Sequence, residues 1–263
     1  MATVTHEGAS IYYETHGSGP AVCLAHGAGG NALSWWQQVP YLARNHTVVV
    51  FDHRSFGRSV CAPADFQPRF FADDLFAILD AERIERAAIV CQSMGGWTGL
   101  RAALEHPERV PALVLAGTPG GLFTPQIAEN MAQLAKRLGG GGVVANSAMA
   151  PEFPKREPAR AFLYGGIGSL NTGFDPAQGV QLFDEAIRIP PEALTEFRVP
   201  TLVLSGQYDL LFPPEIMNHV AELIPGASHE HFPTTGHSTY YEDPERFNEL
   251  VGQFLAKHWP GEG

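Results

Sequence analysis

The chain has 263 residues, 44% apolar and 17% charged, with a formal net charge of −11 at neutral pH; lysine occurs only at Lys136, Lys155 and Lys257, which argues against a nucleic-acid or anionic-membrane surface, since both need clustered positive charge. Cys23, Cys61 and Cys91 are odd in number and widely spaced, so neither a disulfide framework nor a metal knuckle is expected. With no basic-then-apolar leader and no run of about 18 apolar residues, the expected location is a reducing cytoplasm.

Residues 3 to 15 alternate and turn at Glu7-Gly8, which predicts an opening hairpin. Ala21 to Ala25 is a buried strand running into His26-Gly27-Ala28-Gly29-Gly30, a loop able to turn backbone N–H groups toward a ligand. A helix is predicted from about Ser34 to Ala43, a strand over Thr47–Phe51, and then the loop Asp52-His53-Arg54-Ser55-Phe56-Gly57-Arg58-Ser59. Phe71, Leu75, Ile78 and Leu79 share one helical face between Pro68 and Ala81.

Ala87 to Cys91 is a strand that ends at Ser93 and is followed by a helix with small residues at Gly96, Gly99 and Ala103. The sequence Cys91-x-Ser93-x-Gly95 is one step from the Gly-x-Ser-x-Gly elbow that exposes a nucleophile on a strained turn. Val110 to Ala116 is a further strand. From Gly121 to about Phe197 the strand-helix cadence stops: helical stretches such as Gln126–Leu138 are broken by the glycine run 139–142 and by repeated prolines. This predicts a helical insertion over one edge of the core. The glycine run is not followed by Gly-Lys-Ser/Thr and so is not a phosphate loop.

The sheet resumes at Thr201–Ser205 and leads to Asp209. A helix carrying Ile216, Val220 and Leu223 and a strand over Ser228–Phe232 precede Gly236-His237. The terminal helix is capped by Asp243, with Phe247, Leu250, Val251, Phe254 and Leu255 on one face. Strands alternating with helices at this spacing predict an α/β fold with a mostly parallel sheet covered on both faces.

In such sheets the functional side chains gather past the carboxyl ends of strands. A serine hydroxyl needs an imidazole to take its proton, and the imidazole needs a carboxylate to fix its tautomer. The chain offers these in the order Ser93, Asp209, His237. With His26-Gly27, Asp52-x-Arg54-x-x-Gly57-x-Ser59, Ser93-Met94-Gly95-Gly96, Gly206-x-x-Asp209 and Gly236-His237, this order resembles the α/β-hydrolase fold family over residues 1–118 and 200–258. Cys91 and Ser55 stand where the family pattern has glycine.

The resemblance implies a sheet of about eight strands, a core over residues 1–120 and 198–263, and a helical cap over 121–197. Ser93 is then the nucleophile, His237 the general base and acid, and Asp209 its orienting acid. The backbone N–H groups of Ala28 and Met94 form the oxyanion hole. His26 is expected to shape its loop, Asp52 and Arg54 to form an ion pair or loop clamp, Cys91 to pack, and Trp35, Trp36 and Trp97 to lie in the core. The apolar insertion, with Phe123, Met131, Leu134, Leu138, Phe153, Phe162, Leu163, Phe174, Leu182 and Phe183, is expected to cover a mostly hydrophobic small molecule.

The expected activity is hydrolysis of a carboxylic ester or lactone through an acyl-enzyme, with no metal, cofactor, nucleic acid or membrane. The same triad also serves C–C bond hydrolysis and cofactor-free haloperoxidase or perhydrolase chemistry. A slow-turnover ligand receptor on this scaffold is the alternative of another class.

Overall fold

The computed structural model describes residues 2–138, 148–175, 178, 181–182 and 184–260. Strands β1 (Ala2–His6) and β2 (Ala9–His16) form the opening hairpin. Glu7 and Gly8, at φ 40° and 73°, both adopt the left-handed conformation that lets a two-residue turn follow the twist of its strands. The sheet continues with β3 (Ala21–Ala25), β4 (Thr47–Phe51), β5 (Val60–Cys61), β6 (Ala87–Gln92), β7 (Leu113–Ala116), β8 (Thr201–Gly206) and β9 (Ser228–Phe232).

Its order is β1-β2-β4-β3-β6-β7-β8-β9, with the short β5 paired to β2. From β4 to β9 every pairing is parallel. All residues of β3, β6, β7 and β8 are buried, as a parallel sheet covered on both faces requires. Strand β7 starts at Leu113 rather than Val110, because Pro111 has no N–H to give a ladder.

The helices of the core are α1 (Val39–Leu42), α2 (Phe71–Ala81) and α3 (Gly95–Glu105) before the insertion. The helix predicted over 34–43 is instead a 3-10 turn, Ala32–Trp35, and the short α1. Pro40 would break a helix interior and sits in the first turn of α1, where its missing N–H costs nothing. Alternate strand side chains feed opposite faces. Cys23, Ile89, Leu113 and Val203 pack toward α2 and α3, while Val22, Val90, Val114 and Leu204 join Phe247, Val251 and Leu255.

Between β7 and β8 the chain forms α4 (Pro125–Leu138), α5 (Phe153–Arg156) and α6 (Pro158–Gly168). Past β8 come α7 (Pro214–Leu223), α8 (Thr239–Glu242) and α9 (Pro244–His258). Asp243 caps α9 by accepting from the Arg246 N–H. Where the insertion leaves and returns, Phe123 N–H donates to Ile189 at 2.9 Å and Ile189 N–H donates to Gly121 at 2.8 Å.

The insertion is not confined to one edge. Asn130 on α4 donates to the Leu211 carbonyl after β8. At the other end Asn31, after β3, donates to the Ile167 carbonyl, Gly57, after β4, donates to the Asn171 side chain, and Phe174 stacks on Phe56 at 4.3 Å. These contacts carry it across the carboxyl ends of the strands. The glycine run 139–142, Pro176, Phe183 and the Leu138 side chain lie outside the described residues.

Candidate active site

Strand β6 drives straight into a turn whose apex is Ser93, at φ 50°. A serine in the left-handed region is held there by its surroundings: its N–H donates to Ala116 at 3.0 Å and its carbonyl accepts from Gly96 at 2.9 Å. A β-carbon at Gly95 would fall on the Ala25 carbonyl, so only glycine lets α3 start this close to the sheet. Ser93 stays partly exposed while Gln92 and Met94 are buried.

Cys91 is fully buried, and a β-carbon at Gly99 would overlap its sulfur. The thiol therefore occupies room that Gly99 leaves on α3. Burial pushes its pKa up, so it stays protonated and packs.

In the loop after β3, Gly30 N–H donates to Gly27 at 3.0 Å and Gly29 takes φ 86°, a tight turn that leaves Ala28 exposed. His26 holds this loop to the next one. Its Nε2 accepts from the His53 N–H at 2.9 Å, which fixes the proton on Nδ1, and Nδ1–H donates to the Gly27 carbonyl at 2.8 Å. Burial lowers its pKa, so the ring is a neutral strut, as expected.

The expected Asp52–Arg54 pair does not form. Asp52 accepts from the Ala32 and Arg58 N–H groups at 2.6 and 2.7 Å and from the Arg58 guanidinium. Arg54, fully buried, makes a two-pronged pair with Asp74 at 2.8 and 2.6 Å. The two side chains clamp the loop separately because it turns at Ser55, which sits at φ 68°.

His237, at 3% exposure, is joined through Nδ1 to Asp209 Oδ2 at 2.8 Å. The other carboxylate oxygen accepts from the Leu211 and Phe212 N–H groups at 2.8 and 2.9 Å. Gln92, the residue before Ser93, donates to the His237 carbonyl at 3.4 Å. The structure thus joins the acid to the imidazole and ties the His237 backbone to the neighbour of the serine. The Ser93 hydroxyl itself has no hydrogen-bond partner among the described residues, and neither do the N–H groups of Ala28 and Met94.

Trp35 lies in the core, its ring tilted against Tyr240 at 4.6 Å, whereas Trp36, at 38% exposure, departs from the core expectation. Trp97, one helical turn past Ser93, is buried in the core as expected, and its ring also lines an apolar cavity of about 340 Å³ together with Leu122, Phe123, Ile127, Met131 and Leu182 of the insertion. Phe153 is core and Phe162 is 83% exposed. Gln92 and Asn171 are contributions that sequence patterning missed. Gln92 sits beside the candidate serine, which is the one signal that could have flagged it.

Among the described residues no helix is long and apolar enough to cross a membrane. No group of three or more His, Cys, Asp or Glu is placed there to hold a metal ion.

A family model described as "alpha/beta hydrolase fold" matches residues 20–244. A protein of Azorhizobium caulinodans named as a candidate carbamate hydrolase is 30% identical over 95% of this chain and 96% of its own. A thermophilic esterase from Thermogutta terrifontis superposes with a TM-score of 0.80 at 25% identity, covering 98% of both chains. Est816, described as an N-acyl homoserine lactone degrading enzyme, superposes with a TM-score of 0.79 at 27% identity, covering 96% of this chain and all of its own.

Proposed function

The chain belongs to the alpha/beta hydrolase fold family, and on that premise we propose that it is a serine hydrolase cleaving a carboxylic ester or lactone of a mostly apolar small molecule. The observation that carries this reading is the buried His237–Asp209 pair at the same sheet rim as Ser93. The carboxylate holds the proton on Nδ1, which leaves Nε2 to act as the base.

In the proposed reaction Nε2 takes the Ser93 hydroxyl proton as the oxygen adds to the substrate carbonyl. The carbonyl oxygen gains the negative charge and is received by the Ala28 and Met94 N–H groups, each donor of this kind being worth about 10²–10³ in rate. The imidazolium then returns its proton to the leaving alkoxide, and an alcohol departs from the acyl-serine. Water, deprotonated by the same nitrogen, adds to the acyl carbon, and the acid leaves as Ser93 regains its proton. Hydrogen bonds absent from an unliganded site commonly form only with substrate in place.

Residues 121–197 act as the cap in this reading. The cavity beside Trp97, apolar apart from Arg188, supports an aliphatic or aromatic substituent. A carbamate is the second reading, favoured by the Azorhizobium relative, since its carbonyl carbon is attacked in the same way.

The test is a panel of esters, lactones, carbamates and a vinylogous diketone, read together with mass-spectrometric detection of an acyl group on Ser93. Multiple turnover of an ester or lactone that is lost in Ser93→Ala is the expected result. A single stoichiometric burst would assign a receptor instead. Turnover confined to the diketone would assign C–C cleavage.

A further inference from the structure

Glu242 ends α8, five residues after His237, and is only 3% exposed. It has no part in the reaction proposed above. Its two oxygens hold different pieces of chain: Oε1 accepts the Gly236 N–H at 2.9 Å and Oε2 accepts the Ala150 N–H at 2.8 Å. Gly236 is the residue before His237, and Ala150 belongs to the insertion.

The backbone at Gly236 has no spare room. A β-carbon there would lie 2.5 Å from the Ala150 nitrogen and the Met149 carbonyl carbon, and one at Gly206 would fall on the Gly236 carbonyl. Ser238 N–H donates to Ala148 at 3.0 Å. The segment carrying the imidazole is therefore pressed between the end of β8 and residues 148–150, and the carboxylate bridges the gap.

We infer that Glu242 is a positioning residue for His237, tethering Gly236 to Ala150 only while its carboxylate is ionised. This rests on the reading of His237 as the catalytic base. A protonated carboxyl has one oxygen carrying a hydrogen, so one of the two N–H groups would face a hydroxyl oxygen, a far weaker acceptor than a carboxylate oxygen. The imidazole loop would then be held firmly from one side alone.

Burial pushes this carboxyl up to about 7, against the opposing pull of the Ala150, Gly236 and Ser238 N–H groups and of His237. The titratable groups that face it are His237 and the phenols of Tyr164 and Tyr240, both raised by burial. Tyr164 hydrogen-bonds Ser238 at 3.0 Å, and Asp209 reaches Glu242 only through His237. Among the described residues no lysine or arginine forms an ion pair with it.

Two measurements on the full chain test the inference. Log kcat/KM against pH should fall on the acid side with a slope approaching two in the parent, where both His237 and Glu242 must lose a proton, and with a slope of one in Glu242→Gln. That variant should lose about tenfold to a hundredfold in kcat with little change in KM, the usual result of misplacing a base by a fraction of an ångström. An unchanged kcat and acid limb in Glu242→Gln overturns the inference while leaving the hydrolase reading intact.

The second measurement needs no substrate and uses the parent even if the variant does not fold. In the parent, the amide proton resonances of Gly236 and Ala150 should shift together with a midpoint near 7. If they do and no ester is turned over, the tether stands and the hydrolase reading falls. If neither amide shifts, or they shift with separate midpoints, the tether is refuted.

Discussion

The imidazole of His237 donates its Nδ1–H to Asp209 at 2.8 Å while the other oxygen of that carboxylate is already claimed by the N–H groups of Leu211 and Phe212. The acid is thus fixed in rotation before any substrate arrives. An amide in its place would have to present its NH₂ either to the imidazole or to two backbone donors.

Asp209→Asn should therefore lower kcat by about 10⁴ by presenting the wrong imidazole tautomer. Ser93→Ala and His237→Ala should each lose about 10⁴–10⁶, and the double variant hardly more, because the groups act as a unit. Steady-state kinetics on the best ester of the panel is the check; a near-parental rate for Asp209→Asn would move the acid elsewhere.

Cys91 and Gly99 should be energetically coupled. Gly99→Ala drives a methyl into the Cys91 sulfur, and overpacking of this kind costs about 1–3 kcal/mol. Made in a Cys91→Gly background, the same change should cost much less. Equal costs of Gly99→Ala in the two backgrounds, measured by urea unfolding, would show that the pair does not share the space.

Ser55 holds φ 68° without being glycine. A left-handed non-glycine residue carries about 1–2 kcal/mol of strain, and replacement by glycine gives back about half of that in chain entropy. Ser55→Gly should raise stability by about 0.5 kcal/mol, less the loss of its contact with Cys61 at 3.0 Å. A lower thermal midpoint would mean that this contact dominates.

Ala128 lines the apolar cavity. Ala128→Phe should leave short acyl esters unaffected and progressively reject longer ones, by roughly fourfold in kcat/KM for each methylene excluded, following about 0.8 kcal/mol per buried CH₂. A uniform loss across chain lengths would place the acyl group outside this cavity.

The Glu242 carboxyl, raised from 4.5 to about 7 by burial, binds its proton more tightly in the folded chain than in the unfolded one. Its contribution to stability is thus full below about 4.5 and is lost as the pH climbs toward 7. The drop in unfolding free energy over that window should be smaller in Glu242→Gln than in the parent. An identical pH dependence in the two proteins would refute it. Stability and the proposed activity therefore move in opposite directions over the same pH range.

The features that sequence alone made legible are those whose cause is local. The apolar face of α2, the Asp243 cap of α9 and the fully buried run of β6 are written in consecutive residues. The same holds for the order Ser93, Asp209, His237. Partner choice is not local: Arg54 pairs with Asp74 and Asp52 with Arg58 because the turn at Ser55 sends the two side chains apart. Glu242 was invisible for a related reason. An acid after two tyrosines reads as surface until α8 is folded beneath the His237 loop. The reach of the insertion depended on Asn31, Asn171 and Phe174, polar and aromatic residues whose spacing announces nothing.

At Gly121 and Ile189 the outgoing and incoming chains are stitched side by side by two backbone hydrogen bonds, and the segment between them is pinned to the core again through Asn130, Ala150, Ile167 and Asn171. Any rewriting of this segment between the two stitches has to keep those footholds, because one of them, at Ala150, also bears on the loop that carries His237.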